Sequence, residues 1–296
     1  MRACPLLAWL LLLATGPARA QAEFRQDEVL DAGRPEAWAM RHATGTTLLT
    51  GFGAEAPAPG RWELALDLGH IPRLDPDQRR VGFDGTKLED LNKSPVFGRL
   101  RVRAGMGGGW FGELGYTPPL LVEGVRPERL LAAAVGREFL VHPRWRMSAR
   151  VLGQHGGVGG DITCPERLAG VADPVRNPYG CQAASDDEVA MNYYGASLAA
   201  GGRSGAWHWH AEAGAVRSEL QVQVDAITFD VHDRSRLVAN GWMRWFALGV
   251  RRELSRHWAL GAEVLHVPLS VRRPGQDSED DPLTSLRLQL RWQPSP

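Results

Sequence analysis

The stretch Arg99-Leu100-Arg101-Val102-Arg103-Ala104-Gly105-Met106 alternates with a period of two. In an extended chain Leu100, Val102, Ala104 and Met106 share one face, and Arg99, Arg101 and Arg103 share the other, because successive side chains of a strand point to opposite sides. Three arginines on one strand face need water or a polar interior beneath them. The same split recurs outward in both directions. Trp62, Leu64, Leu66 and Leu68 oppose Glu63, Ala65, Asp67 and Gly69, and Met147, Ala149 and Val151 oppose Arg146, Ser148 and Arg150. Trp209, Ala211, Ala213 and Ala215 oppose His208, His210, Glu212 and Gly214, and Leu286, Leu288, Leu290 and Trp292 oppose Arg287, Gln289 and Arg291.

Tryptophan marks where these stretches begin. Trp62, Trp110, Trp145, Trp207 and Trp258 each follow a short turn-like segment such as Gly107-Gly108-Gly109 or His142-Pro143-Arg144. An indole favours the water–bilayer boundary, since its ring is apolar while its N–H seeks a polar partner. Five indoles at one level, with Trp292 on the last stretch, form an interfacial girdle around strands that alternate apolar-out and polar-in. The alternative is a soluble periplasmic β-sandwich, in which the polar faces meet water and the apolar faces meet each other. Strands near ten residues suit a tilted membrane crossing better than the five or six usual in soluble sheets.

The bulk properties agree. Arg2, the apolar run Leu6 to Leu13 and Ala18-Arg19-Ala20 have the layout of a cleavable secretory signal over residues 1–20. No later segment has the roughly 18 apolar residues of a membrane-spanning helix, so the exported chain crosses a membrane as strands or not at all. Removal of Arg2 and Arg19 with the leader leaves a net charge of −2, which carries no nucleic-acid footprint. Cys164 and Cys181 are then the remaining cysteines, and an even pair in an exported chain points to a disulfide.

Connections alternate between short turns at 107–109, 142–144, 201–206 and 255–257 and longer polar loops at 73–96, 119–128, 155–189, 220–240 and 271–282. Short periplasmic turns and long external loops are the habit of outer-membrane barrels. The expectation is an all-β chain: a single antiparallel transmembrane β-barrel over 61–293, an up-and-down meander of about ten strands. Twelve are possible if Thr46–Gly53 and Gln221–Val231 both join the wall. Residues 21–60 are expected to be an N-terminal periplasmic segment, with a short helix opened by Pro35 and both chain ends in the periplasm.

On these residues the chain resembles the bacterial outer-membrane β-barrel class over nearly all its length beyond the leader. Such proteins usually end on an aromatic residue, whereas here Trp292 precedes Gln293-Pro294-Ser295-Pro296. The resemblance implies residence in the bacterial outer membrane, lipid and lipopolysaccharide as neighbours, and delivery by the barrel-assembly machinery. It leaves the oligomeric state open and allows a small solute.

Arg99, Arg101, Arg103, Glu212, Arg287 and Arg291 are expected to face the lumen. There they either fill the barrel with ion pairs or line a narrow polar path, because a ten-stranded bore is too slim for a general porin. His208-x-His210-x-Glu212 has the one-face spacing of a partial metal site, though as lumen residues these groups need no metal. Asp230-Val231-His232 resembles part of the apparatus of the omptins, ten-stranded surface proteases in which an Asp–His pair and an acidic pair activate water. Asp75-Pro76-Asp77 offers an acidic pair, but on the first loop rather than the second. No phosphate loop, dinucleotide fingerprint or nucleophile elbow occurs in usable context, and no cofactor is implied. The functional expectation is a structural, surface-binding or narrow-channel barrel, with an omptin-like hydrolase as the alternative.

Overall fold

The computed structural model describes residues 22–294, so the leader at 1–20 lies outside the described residues. Ten barrel strands follow in chain order: β1 Trp62–His70, β2 Val96–Gly107, β3 Trp110–Tyr116, β4 Val125–Val141, β5 Trp145–Gly160, β6 Asp187–Ser204, β7 Trp207–Gln223, β8 Arg236–Glu253, β9 Trp258–Val267 and β10 Leu283–Trp292. Each pairs antiparallel with its sequence neighbour, and β10 pairs with β1, so the sheet closes. Closure leaves no free edge along most of the wall, which disposes of the two-sheet sandwich. Gln221 to Val231 does not add a wall strand: β7 ends at Gln223, and Ala226–Thr228 with Val231–Asp233 form a small hairpin beyond the rim.

The distribution of side chains is the reverse of a soluble protein's. Leu66, Leu100, Val102, Leu114, Leu248 and Leu288 face outward and are exposed, while Arg101, Arg103, Glu113, Arg150, Glu212 and Glu263 face inward and are buried. Such a surface is stable only against an apolar solvent. Trp62, Trp110, Trp145, Trp207 and Trp258 are outward and exposed at the turn end of the barrel. The Trp62 and Trp292 rings meet there at 5.3 Å.

Residues 22–61 depart from the expectation. The helix forms, over Pro35–Thr46 (α1), but it sits inside the barrel rather than free in the periplasm. Ala37, Trp38 and Thr44 are fully buried, and a Cβ added at Gly45 would lie 2.7 Å from Leu283 Cδ2 of the wall. Ahead of α1 the chain lies at the loop end, where Asp27–Val29 adds in parallel to Arg236–Val238 and Ala22–Phe24 to Val231–Asp233. After α1 it descends through the lumen. At the turn end Pro59 bridges Gly105, whose missing Cβ matters: one placed there would sit 2.2 Å from Pro57 O. Of Thr46–Gly53, Thr46 closes α1 and the remainder is an irregular strap in the lumen rather than a strand, and the described N-terminal residues end opposite the expected side. The physical reason is that the inward arginines and glutamates need partners, and this segment's backbone supplies them.

Wall height is uneven. β3 has seven residues between a β2 of twelve and a β4 of seventeen. Pro118-Pro119 ends it, since proline has no N–H to give to the ladder. The last paired residues are Leu100 with Tyr116 and Tyr116 with Leu131. Val96–Arg99 of β2 and Val125–Glu128 of β4 thus continue upward, each laddered to a wall strand on its other side only, with Val122 of the connecting loop bridging Val125. A notch is left between them.

Arg150 donates to Leu49 O at 2.9 Å and pairs with Glu113 and Glu212. Replacing it leaves buried Glu212 without a cation among the described residues, takes one of three arginines from Glu113 and removes a donor from Leu49 O. Arg150→Met is expected to lower stability by about 3–5 kcal/mol, read from urea-unfolding midpoints of the refolded protein in detergent; an unchanged midpoint would show that the strap does not depend on this contact.

Candidate functional site

The lumen's charges bind the strap group by group. Arg287 Nη2 donates to Gly45 O and Thr46 O at the end of α1, where helix carbonyls lack internal partners, and its Nη1 donates to Leu48 O. Tyr193 Oη accepts from Leu49 N at 2.9 Å, Arg101 Nη1 donates to Thr50 O at 2.6 Å, and Glu212 Oε2 accepts from Gly51 N at 2.6 Å. Lower down Arg103 donates to Glu55 O, Arg251 pairs with the Glu55 carboxylate at 2.6 Å, and Glu138 accepts from Ala56 N. Wall-to-wall pairs fill the gaps: Arg101 with Asp67 and Glu113, and Arg291 with Glu63. The lumen is filled at this level.

His208, His210 and Glu212 point inward but serve different partners. His208 bridges Glu55 and Glu253, His210 meets Glu263 at 2.9 Å, and Glu212 holds Arg150 and the strap. Among the described residues no group of three His, Cys, Asp or Glu side chains is placed to hold a metal. Asp230 and His232 are likewise apart in role. Asp230 accepts from Gln182 at 2.8 Å, and His232 contacts Asp225 rather than Asp230, at 2.6 Å. Cys164 and Cys181 form the disulfide that ties the loop between β5 and β6.

Toward the loop end the interior changes character. Beside α1 lies a cavity of about 510 Å³, within the size range of small-molecule sites. Its inner wall includes Met40 of α1, Leu130, Val189 and Met191. Its outer part is lined by Leu66, Leu68 and Leu100, which face the membrane side. Between the two stand the borders of the notch, Val96 to Leu100 on β2, Thr117, Pro118, Leu120 and Val122 after β3, and Val125, Pro127 and Leu130 on β4. The cavity therefore reaches sideways through the wall where β3 stops short. Gly156 adjoins this border: its φ is +112°, and a Cβ would lie 2.3 Å from Arg129 O at the bulge of β4.

The roof is the loop between β1 and β2, latched to the disulfide loop. Lys87 Nζ donates to Thr163 O at 2.8 Å and to Glu89, and Lys93 Nζ pairs with Asp90 and Asp161 at 2.8 Å each. Burial pushes the Glu89 carboxyl up to about 7, against the opposing attraction of Lys87 at 3.1 Å. Lys87 to Lys93 is the charged part of the first long loop, a distinctive stretch to which the sequence attaches no activity. Pro118-Pro119 was the legible sign of the notch.

Fold and interior together define a ten-stranded membrane β-barrel closed by its own N-terminal segment. Neither a protein-family model nor a curated protein matches the sequence. Among solved structures the chain is similar to the Pseudomonas putida toluene transporter TodX, at 12% identity and a TM-score of 0.34 over 80% of this chain and 68% of that one. It is also similar to Ail, the attachment invasion locus protein of Yersinia pestis, at 8% identity and 0.30 over 79% and 99%. OprG from Pseudomonas aeruginosa gives 11% identity and 0.29 over 83% and 100%. All are outer-membrane barrels; likeness at these values concerns shape alone.

The roof titrates. An unfolded glutamate loses its proton near 4.5 and folded Glu89 near 7, so the folded state holds the extra proton between those values, and the latch is strongest below about pH 4.5 and weakens as pH rises through about 7. Amide exchange of residues 80–93 is expected to quicken from pH 5 to 8 beyond its intrinsic pH dependence, and Glu89→Gln to flatten that excess. Equal excess in the variant would remove Glu89 as its cause.

Proposed function

We propose that this chain is an outer-membrane barrel that takes apolar small molecules sideways from the lipid phase into the cavity beside α1. One observation carries the reading: a single cavity is lined at one end by the membrane-facing Leu66, Leu68 and Leu100 and at the other by the lumen-facing Leu130 and Met191. Apolar solutes concentrate in the bilayer, so an opening at membrane level meets them where a mouth in water does not. The tryptophan-bearing turn end faces the periplasm, with the indoles as the interfacial girdle, and the long loops face outward against lipopolysaccharide. Export through the 1–20 leader and insertion by the barrel-assembly machinery belong to this reading.

Onward passage is shut by α1 and the strap, so capture is the resting function and release toward the periplasm requires the strap to move. A free-running narrow channel is disfavoured for the same reason, and a surface hydrolase because Asp230 and His232 are engaged by separate partners.

Two outcomes follow. Refolded full-length protein in planar bilayers is expected to show no stable open conductance, and a steady open level would refute the closed strap. Leu130→Trp, which fills the floor of the notch, is expected to weaken binding of the neutral fluorophore 1-aminoanthracene at least tenfold in nanodiscs, after subtraction of lipid-only discs, with heat-modifiable gel mobility retained. Unchanged binding by a folded variant would sink the lateral route.

A further inference from the structure

We propose that the cavity is built for an amphiphile with one anionic head group, a long-chain monocarboxylate, and that Arg99 is its counter-charge with Thr117 Oγ1 as a second donor. The inference rests on the lateral-uptake reading and adds the chemistry of the ligand.

Arg99 is the odd member of the lumen's arginines. Arg101, Arg103, Arg150, Arg251 and Arg291 each have a carboxylate within 4 Å, and Arg287 spends its N–H groups on four oxygens of α1 and the strap. Arg99, only 1% exposed, has no carboxylate within that distance among the described residues. Its Nη2 donates to the neutral Gln154 Oε1 at 2.6 Å, its guanidinium faces the neutral Tyr193 hydroxyl and stacks 4.9 Å from the Phe97 ring, and its Nε is buried without an acceptor. Asp67 stands opposite Arg99 in the β1–β2 register, but its Oδ2 accepts from Arg101 and its Oδ1 from Gln289.

The unpaired cation borders the cavity at the notch. The β2–β3 register, carried one residue past Leu100 and Tyr116, sets Arg99 opposite Thr117, and Thr117 N donates to Leu130 O at 3.1 Å. Arg99 on β2, Thr117 just past β3 and Leu130 on β4 thus make one buried row. Thr117 Oγ1 is also buried and without a partner. Two orphaned polar groups side by side on an otherwise apolar cavity mark where a polar end of the ligand sits.

Of the remaining charged side chains lining the cavity, all but Asp187 stand in ion pairs. Lys93 is held by Asp90 and Asp161, Glu36 by Arg34 and Glu89 by Lys87. Asp187 accepts from Thr163 N, Asp225 N and Ser185 Oγ. One free guanidinium matches a monoanion, and its planar fork suits the two oxygens of a carboxylate. A dianionic phosphate would retain uncompensated charge in an apolar site.

The test uses full-length protein in zwitterionic nanodiscs at pH 8.5, with displacement of 1-aminoanthracene by dodecanoate or dodecan-1-ol as readout. Wild type is expected to prefer dodecanoate at least tenfold. Arg99→Gln should abolish that preference while dodecan-1-ol binds as before, and Arg99→Lys should keep part of it. Thr117→Val, similar in size, should weaken dodecanoate alone by about threefold and serves as the test if Arg99→Gln does not fold. Equal displacement by both ligands in wild type, a preference that survives Arg99→Gln, or no effect of Thr117→Val where that variant is the test, would overturn the head-group assignment and leave lateral uptake standing. Displacement by neither would overturn both.

Discussion

Everything in this barrel depends on how its lumen solves the problem of buried charge. Arginines and carboxylates point into a space too narrow for bulk water, where an unpaired charge is costly and a lone ion pair little better. The solution is a strap of main chain. Leu48 O, Leu49 O and Thr50 O each accept from a different wall arginine, Gly51 N is taken by Glu212, and the Glu55 carboxylate meets Arg251 and His208. A backbone outside regular secondary structure leaves donors and acceptors free, and the period-two alternation of the wall points charges at them.

That arrangement divides the interior into two zones. Where the strap runs, the lumen is charged, filled and closed. Where the chain is coiled as α1, its own helical hydrogen bonds satisfy the backbone, so the wall around it turns apolar with Met191, Val216, Met243 and Trp245. A helix packed against such a wall does not fill it as a strap does, and the cavity lies on its free side. The short β3 then turns an enclosed void into one reached from the membrane. Binding space, its closure below and its opening at the side all follow from where the N-terminal segment runs as a strap, where it is helical and where one strand ends early.

Much of this was legible in the residues. Alternation such as Leu100, Val102, Ala104 against Arg99, Arg101, Arg103 reports which face is apolar whatever the partner strand. Turn-flanked tryptophans report where strands begin, and Cys164 and Cys181 pair as expected. The helix at Pro35 was legible too, but its location was not. A helical stretch opened by proline reports local conformation, whereas docking depends on an interior assembled from every strand.

The sequence by itself determined a meander of about ten alternating strands, because period-two patterning and turn chemistry act over a few residues, and the closed wall excluded the alternative of twelve. Tertiary structure alone decided which charges are spent and which are free. Arg99, Arg101 and Arg103 are indistinguishable in the pattern, yet Arg101 finds Asp67, Glu113 and Thr50 O, Arg103 finds Glu63 and Glu55 O, and Arg99 finds no carboxylate among the described residues, meeting the neutral Gln154, Tyr193 and Phe97 instead. Apart from Phe97, those partners come from other strands and from the strap, Gln154 being 55 positions away in the chain. An arginine's role is set by what the fold brings within about 3 Å of it, and no local pattern carries that information.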